Sequence, residues 1–182
     1  MVLRRASIAL CAVALASPLG LAACGNKDKQ QGVDEPAGEG LALPLDGVDY
    51  NVFITRELNV KIPPDDAYVK DEAPPGQVLY GVFLQVCNHS DASHMPASRF
   101  LIRDNQDNTF SPEQLPLDNQ FAYNAREIGP NECIPEAGSV AQLGPTAGSM
   151  LLFQLPLENT ENRPLELEIE RNGEKRTFTL DI

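Results

Sequence analysis

The chain is predicted to fold as an all-β, antiparallel β-sandwich of about 7–8 strands, and three observations carry that expectation. No window of ten residues offers an uninterrupted amphipathic helix. Short runs rich in β-branched and aromatic residues recur between Gly, Pro, Asn and Asp clusters. The C-terminal stretch alternates strictly about Asn172-Gly173, the strongest short hairpin signal.

Taken in order, Tyr50, Val52 and Ile54 alternate with Asn51, Phe53 and Thr55, giving a first strand. A second extended stretch, Glu57 to Ile62, stops at Pro63-Pro64. Gln77 to Cys87 is apolar on both faces, as a central strand must be. Asn88 to Pro96 is a polar loop, and Arg99 to Asp104 is the next strand. Asn105 to Asn108 turns the chain into Thr109-Phe110. Ser111 to Gly138 holds four prolines and little periodicity, a long excursion from the body. Ser139 to Leu143 and Ser149 to Leu155 read as two further strands.

In the closing hairpin, a two-residue turn sets Arg171 opposite Glu174, Glu170 opposite Lys175, Glu168 opposite Thr177 and Leu167 opposite Phe178. Leu165, Leu167, Ile169, Phe178 and Leu180 then share the core face, and a Glu170–Lys175 pair lies on the wet face. Arg176 falls beside Ile169, close enough to the open end to reach water.

The N-terminus is an address. Arg4-Arg5, the apolar run Ala6 to Ala16 and a break at Ser17-Pro18 have the order of a secretory signal. The run is shorter than the roughly 20 apolar residues a spanning helix needs. Leu21-Ala22-Ala23-Cys24 resembles the lipobox of bacterial lipoproteins. That resemblance implies cleavage before Cys24, acylation of its sulfur, and attachment to the bilayer on the extracytoplasmic side, at the cell surface or in the periplasm. Each buried lipid methylene contributes about 0.8 kcal/mol, and two chains suffice for stable anchoring. The domains expected are a leader at 1–23, a lipidated flexible tether at 24–40 and a sandwich at 41–182. The tether, rich in Gly and charge, has an r.m.s. span of roughly 22 Å.

Charge narrows the partners. The 182 residues carry 14 Lys and Arg against 26 Asp and Glu. Removal of Arg4 and Arg5 with the leader makes the mature formal charge −14. Nucleic acid and anionic lipid both need basic patches, so neither is expected as an electrostatic partner. Of the 4 cysteines, Cys11 leaves with the leader and Cys24 takes the lipid. Cys87 and Cys133 remain, and two thiols in an exported domain pair most simply as a disulfide.

The strand Tyr50 to Ile54, the segment Val82 to Ser90 (VFLQVCNHS), Phe100 to Asp104 (FLIRD), Leu151 to Pro156 (LLFQLP) and the closing hairpin stand in an order that resembles a known group. It is similar to the telokin-like, immunoglobulin-like domain of bacterial surface lipoproteins of unknown function, akin to secreted immunoprotective antigens. The resemblance covers Leu41 to Ile182 and implies a β-sandwich; the group has no agreed catalytic residues.

Two polar clusters invite chemistry. Cys87, His89, His94 and Met95 lie within nine residues and are the ligand types of a soft metal such as copper. The metal reading uses His89, His94 and Met95 and would compete with the disulfide for Cys87. Asp104 to Asn108 is rich in oxygen, but its acids miss the spacing of a calcium loop, and a turn closed by local hydrogen bonds accounts for them better. No enzyme motif such as G-x-S-x-G, a P-loop or H-E-x-x-H occurs. The expectation is therefore a non-enzymatic binding module without a cofactor. Its contact surface would be the 111–138 excursion with the 88–96 loop, and its partner an envelope protein or an external molecule. Copper binding by the 87–95 loop is the alternative.

Overall fold

The computed structural model describes residues 29–182. The leader, Cys24 and the first part of the expected tether lie outside that range. Ten strands follow one another: β1 (Ala37–Gly38), β2 (Ala42–Leu45), β3 (Val48–Glu57), β4 (Gln77–Cys87), β5 (Arg99–Arg103), β6 (Thr109–Phe110), β7 (Cys133–Ile134), β8 (Ser149–Pro156), β9 (Glu166–Arg171) and β10 (Glu174–Thr179). Two one-turn helices, α1 (Asp65–Tyr68) and α2 (Val140–Leu143), and a 3-10 turn at Leu157–Glu161 complete the set.

One sheet runs β1-β10-β9-β5-β6; the other runs β2-β3-β4, with β7 and β8 both on the far side of β4. All pairs are antiparallel except β1 with β10. This is the all-β sandwich read from the sequence. Its core is filled from both inner faces, by Tyr50, Val52, Val82, Leu84 and Phe153 on one side and Phe100, Ile102, Leu167, Ile169 and Phe178 on the other.

β4 explains why the sequence is apolar on both of its faces. Tyr80, Val82, Leu84 and Val86 enter the main core. Leu79 and Phe83 point the other way, into a second cluster with Leu58, Tyr68, Phe121, Ala141, Met150 and Leu152. Tyr68 meets Phe83 and Phe121 edge-on, with ring centroids 5.0 and 4.7 Å away. The outer face of this sheet is therefore covered by α1, α2 and part of the excursion.

Hairpin β9–β10 has the register expected, Arg171↔Glu174 through Leu167↔Phe178. Asn172 and Gly173 both have positive φ, as a type I′ turn demands. Arg176 does lie opposite Ile169, and its Nε donates to the Pro44 carbonyl at 2.7 Å. One pairing differs. Lys175 reaches diagonally to Glu168 at 3.0 Å, and Glu170 takes Arg99 at 3.2 Å instead.

Four other expectations are corrected. The tether drawn at 24–40 is too long: Ala37 is fully buried and β1 pairs with β10. Thr177 donates its N–H to the Gly32 carbonyl, and the Glu39 carboxylate accepts from the backbone of Thr55 and of Asp181. Backbone pairing and one acid hold a segment that has little apolar surface to bury. In β3, a bulge between Val52 and Ile54 reverses the alternation, so Ile54 is exposed and Thr55 buried. The stretch Glu57 to Ile62 forms no strand beyond Glu57. Ser139 to Leu143 is α2, not a strand, because the Ser139 hydroxyl caps it by accepting from the Gln142 N–H.

At the far end of β5, buried Asp104 shows what the Asp/Asn turn does. Its carboxylate accepts from the backbone of Gln106 and Asn108 and from the side-chain amides of Asn108, Asn159 and Asn162, all at 2.8–3.0 Å. Burial would raise its pKa, but the amide donors outweigh that and hold the carboxyl well below the usual carboxylate range. The stability this provides is present above the unfolded pKa of about 4 and is lost as pH falls below it. Asp104→Ala should cost about 2–4 kcal/mol at pH 7 in urea unfolding. The gap to wild type should narrow between pH 5 and pH 2; a constant gap would mean the carboxylate charge is not what holds the turn.

Candidate functional site

Two surfaces are built around the excursion, and they share its residues. The first lies at one end of the sandwich. Asp46 and Gly47, both with positive φ, form the β2–β3 turn. The Asp46 carboxylate accepts from Arg171 Nε and, at 2.8 Å, from Asn172 Nδ2, so the type I′ turns of the two sheets are clamped together. Gly47 is required here because a side chain would strike the His94 ring.

The 88–96 loop is fastened onto this end. Asn88, fully buried, donates Nδ2 to the carbonyls of Ala92, Ile128 and Gly129, while its Oδ1 accepts from the N–H and hydroxyl of Ser90. His94 and Ile128 exchange backbone bonds of 3.0 and 2.9 Å. The Cys87–Cys133 disulfide forms, with the two Cα atoms 4.1 Å apart across the β4–β7 pair. Loop and excursion are one surface, as expected.

Two phenols then grip Ala97 where the loop enters β5. Tyr50 Oη accepts the Ala97 N–H at 2.5 Å, and Tyr123 Oη donates to the Ala97 carbonyl at 2.7 Å. Burial pushes the Tyr50 hydroxyl up to about 12 despite the Ala97 bond, and it raises that of Tyr123 as well. Tyr123, on the excursion, also stacks edge-on against Phe100 at 5.0 Å.

The residues of the metal reading are not gathered. His89 is exposed and turns toward Asp49, 3.8 Å away. His94 lies against Gly47 with Nε2 3.0 Å from the Ser90 hydroxyl, and Met95 is exposed. Cys87 is spent on its disulfide. Among the described residues, no three His, Cys, Asp or Glu side chains converge as a metal would need. The Ser90–His94 pair has the spacing of a nucleophile and its base. However, the Ser90 hydroxyl is also bonded to Asn88 Oδ1 and to the Ala92 backbone, which is the arrangement of a locked turn.

The second surface is a groove of about 560 Å³ on the outer face of the β4–β8 sheet. Leu79, Leu152 and Gln154 make its floor, Val69 to Glu72 one wall, and Glu113 to Phe121 the other. The excursion runs along the edge of β8, where Glu113 N–H donates to the Leu152 carbonyl and Met150 N–H to the Phe121 carbonyl. Asn119 fixes the width, donating to the Tyr68 carbonyl at 2.8 Å and accepting from the Phe121 N–H at 2.9 Å. The Tyr68 hydroxyl is itself held by the Thr146 N–H at 3.1 Å. The wall Val69 to Glu72 was not among the residues singled out in the sequence. Nothing periodic marks it, and it meets Glu113 to Phe121 only after folding.

No family model matches the chain, and no curated protein matches it. Solved structures do. An uncharacterized β-sandwich protein from Clostridium difficile 630 aligns at TM-score 0.50 and 16% identity, over 80% of this chain and 95% of that one. A conserved hypothetical protein from Bacillus anthracis aligns at TM-score 0.50 and 10% identity, over 79% and 95%. A Bacillus subtilis protein provisionally named a lipoprotein aligns at TM-score 0.48 and 15% identity, over 79% of this chain and 39% of its own. At these identities the likeness is one of β-sandwich fold.

Replacing both Cys87 and Cys133 by Ser should lower stability by about 4 kcal/mol, because the bridge closes a loop with a sequence separation of 46. Backbone hydrogen exchange should then quicken in 126–134 before the β4–β8 pair is affected; unchanged protection there would show that the loops are held without the bridge. Tyr50→Phe should cost about 1–2 kcal/mol by leaving the Ala97 N–H without its acceptor. A phenol raised on folding loses its stabilising effect as pH rises above about 10, the unfolded value. The variant should therefore lose stability less steeply than wild type between pH 10 and 12, by about 1.4 kcal/mol per pH unit. Equal slopes would place Tyr50 in water.

Proposed function

We propose that this chain is a membrane-anchored extracytoplasmic lipoprotein that works as a binding module and carries out no catalysis. The address rests on the leader and on Leu21-Ala22-Ala23-Cys24, and no described helix is long and apolar enough to cross a membrane. The order of strand motifs supports a place beside the telokin-like surface lipoproteins. The observation that carries the binding role is the fastening of the excursion. A disulfide, the Asn88 amide and the Tyr123 phenol hold a 28-residue irregular segment on a rigid sandwich. Such loops, positioned by a scaffold and free of packing duties on their outer side, are where recognition concentrates. The partner is an envelope protein or an external molecule.

Cys24→Ala should move the protein from the membrane to the soluble fraction, and the wild-type chain should carry diacylglycerol on an N-terminal Cys24 by intact mass. Continued membrane association of the variant, or a purified chain that still began at Met1, would overturn the anchor.

A further inference from the structure

We propose that the groove between Val69–Glu72 and Glu113–Phe121 receives a basic, partly apolar peptide segment of a partner protein, an inference that rests on the binding-module reading. Its volume of about 560 Å³ falls in the range of ligand clefts and can seat several side chains. The base is apolar, with Leu79, Leu152 and Phe121 buried and Leu115 half-buried at its side. The rim is acidic. Asp71, Glu72, Glu113 and Asp118 stand on both walls, all exposed. Glu72 holds Lys61 at 3.0 Å. Among the described residues, Asp71, Glu113 and Asp118 make no ion pair. Two cations stand against these four acids: Lys61 on Glu72, and Lys70, which gives its ammonium to the Asp66 carbonyl on its own wall.

A concave surface with low-dielectric walls and an excess of one sign of charge concentrates its field outward. Phosphate-bearing partners, nucleic acid and anionic headgroups alike, are repelled by it. A lysine or arginine beside an apolar residue satisfies rim and floor together, its methylenes against leucine and its charge among the carboxylates. The side-chain amides of Gln114, Gln120 and Gln154 add donors and acceptors that suit a peptide backbone better than a lone small cation. The cleft is also built before any ligand arrives, through Asn119, Tyr68 and Thr146, so little ordering remains to be done on binding.

The test uses the full chain in detergent and a nine-residue peptide alternating Lys and Leu, followed by fluorescence anisotropy. Binding should weaken at least tenfold in the E113K/D118K variant and between 0.05 and 0.5 M salt. A peptide with Glu for Lys should not bind. The E158K/E174K variant, which makes the same change in net charge away from both the groove and the excursion, should stay within about twofold of wild type. No binding, binding of the acidic peptide, or equal loss in both variants would overturn the proposal; the last would assign the attraction to net charge alone. Circular dichroism shows whether each variant is folded, and Leu115→Ala, which leaves the charge alone, should weaken binding about fivefold. A photo-crosslinking residue at Gln114 in native membranes should capture a protein partner. Capture from Ser93 but not from Gln114 would leave the binding module standing and sink the groove; capture from neither would sink both.

Discussion

β4 is the constraint on which the rest depends, because it buries side chains on both of its faces. A strand flanked by β3 and by β8 needs cover above and below, and a two-sheet sandwich supplies only one side. The other side has to be roofed by segments outside the sheets. Leu58, Tyr68, Phe121 and Ala141 come from four such segments and meet over Phe83 and Leu79. Each buried side chain of this size contributes about 1.5–3 kcal/mol, enough to order short helices and loops that have no stability of their own. The irregular segments between the strands are thus a second layer of the fold.

The two sheets consequently present different outer surfaces. That of β10-β9-β5 is a solvated ladder, with Arg103 and Lys175 sharing Glu168 at 2.7 and 3.0 Å and Arg99 meeting Glu170. The Arg103 bonds and those of Lys175 hold Glu168 below the ordinary carboxylate range against its partial burial. Ion pairs at such a solvated surface add little to stability. That of β3-β4-β8 is roofed, and the seam between two pieces of its roof is the groove. On this roofed side, shape and unpaired charge coincide.

Strand pairing was legible in the sequence where a turn and a periodicity declared it together. Asn172-Gly173 specified the register of β9–β10 residue by residue, and the doubly apolar run Gln77 to Cys87 marked the central strand. Asp46-Gly47 carries the same kind of hairpin signal and builds the β2–β3 turn, but Ala42–Leu45 is short and contains Pro44, so β2 has no strand pattern of its own. The inward place of Thr55 was hidden by a bulge that no side-chain pattern announces. α2 is one turn long, too short for a helical period to show, though Ser139 at its cap was a visible cue. The groove was illegible for a different reason. Its walls come from segments some 40 residues apart, and what joins them is one asparagine bonded to a carbonyl.

The docking of residues 29–40 changes how an acyl-bearing Cys24 would hold the domain. With the chain laid on the sandwich from Gly32 onward, eight residue steps separate Cys24 from the first docked residue, about 28 Å at full extension. That is about half the reach of a tether running free to Gly40. The β1–β10 margin, where the chain joins the sandwich, would then lie within that distance of the lipid headgroups.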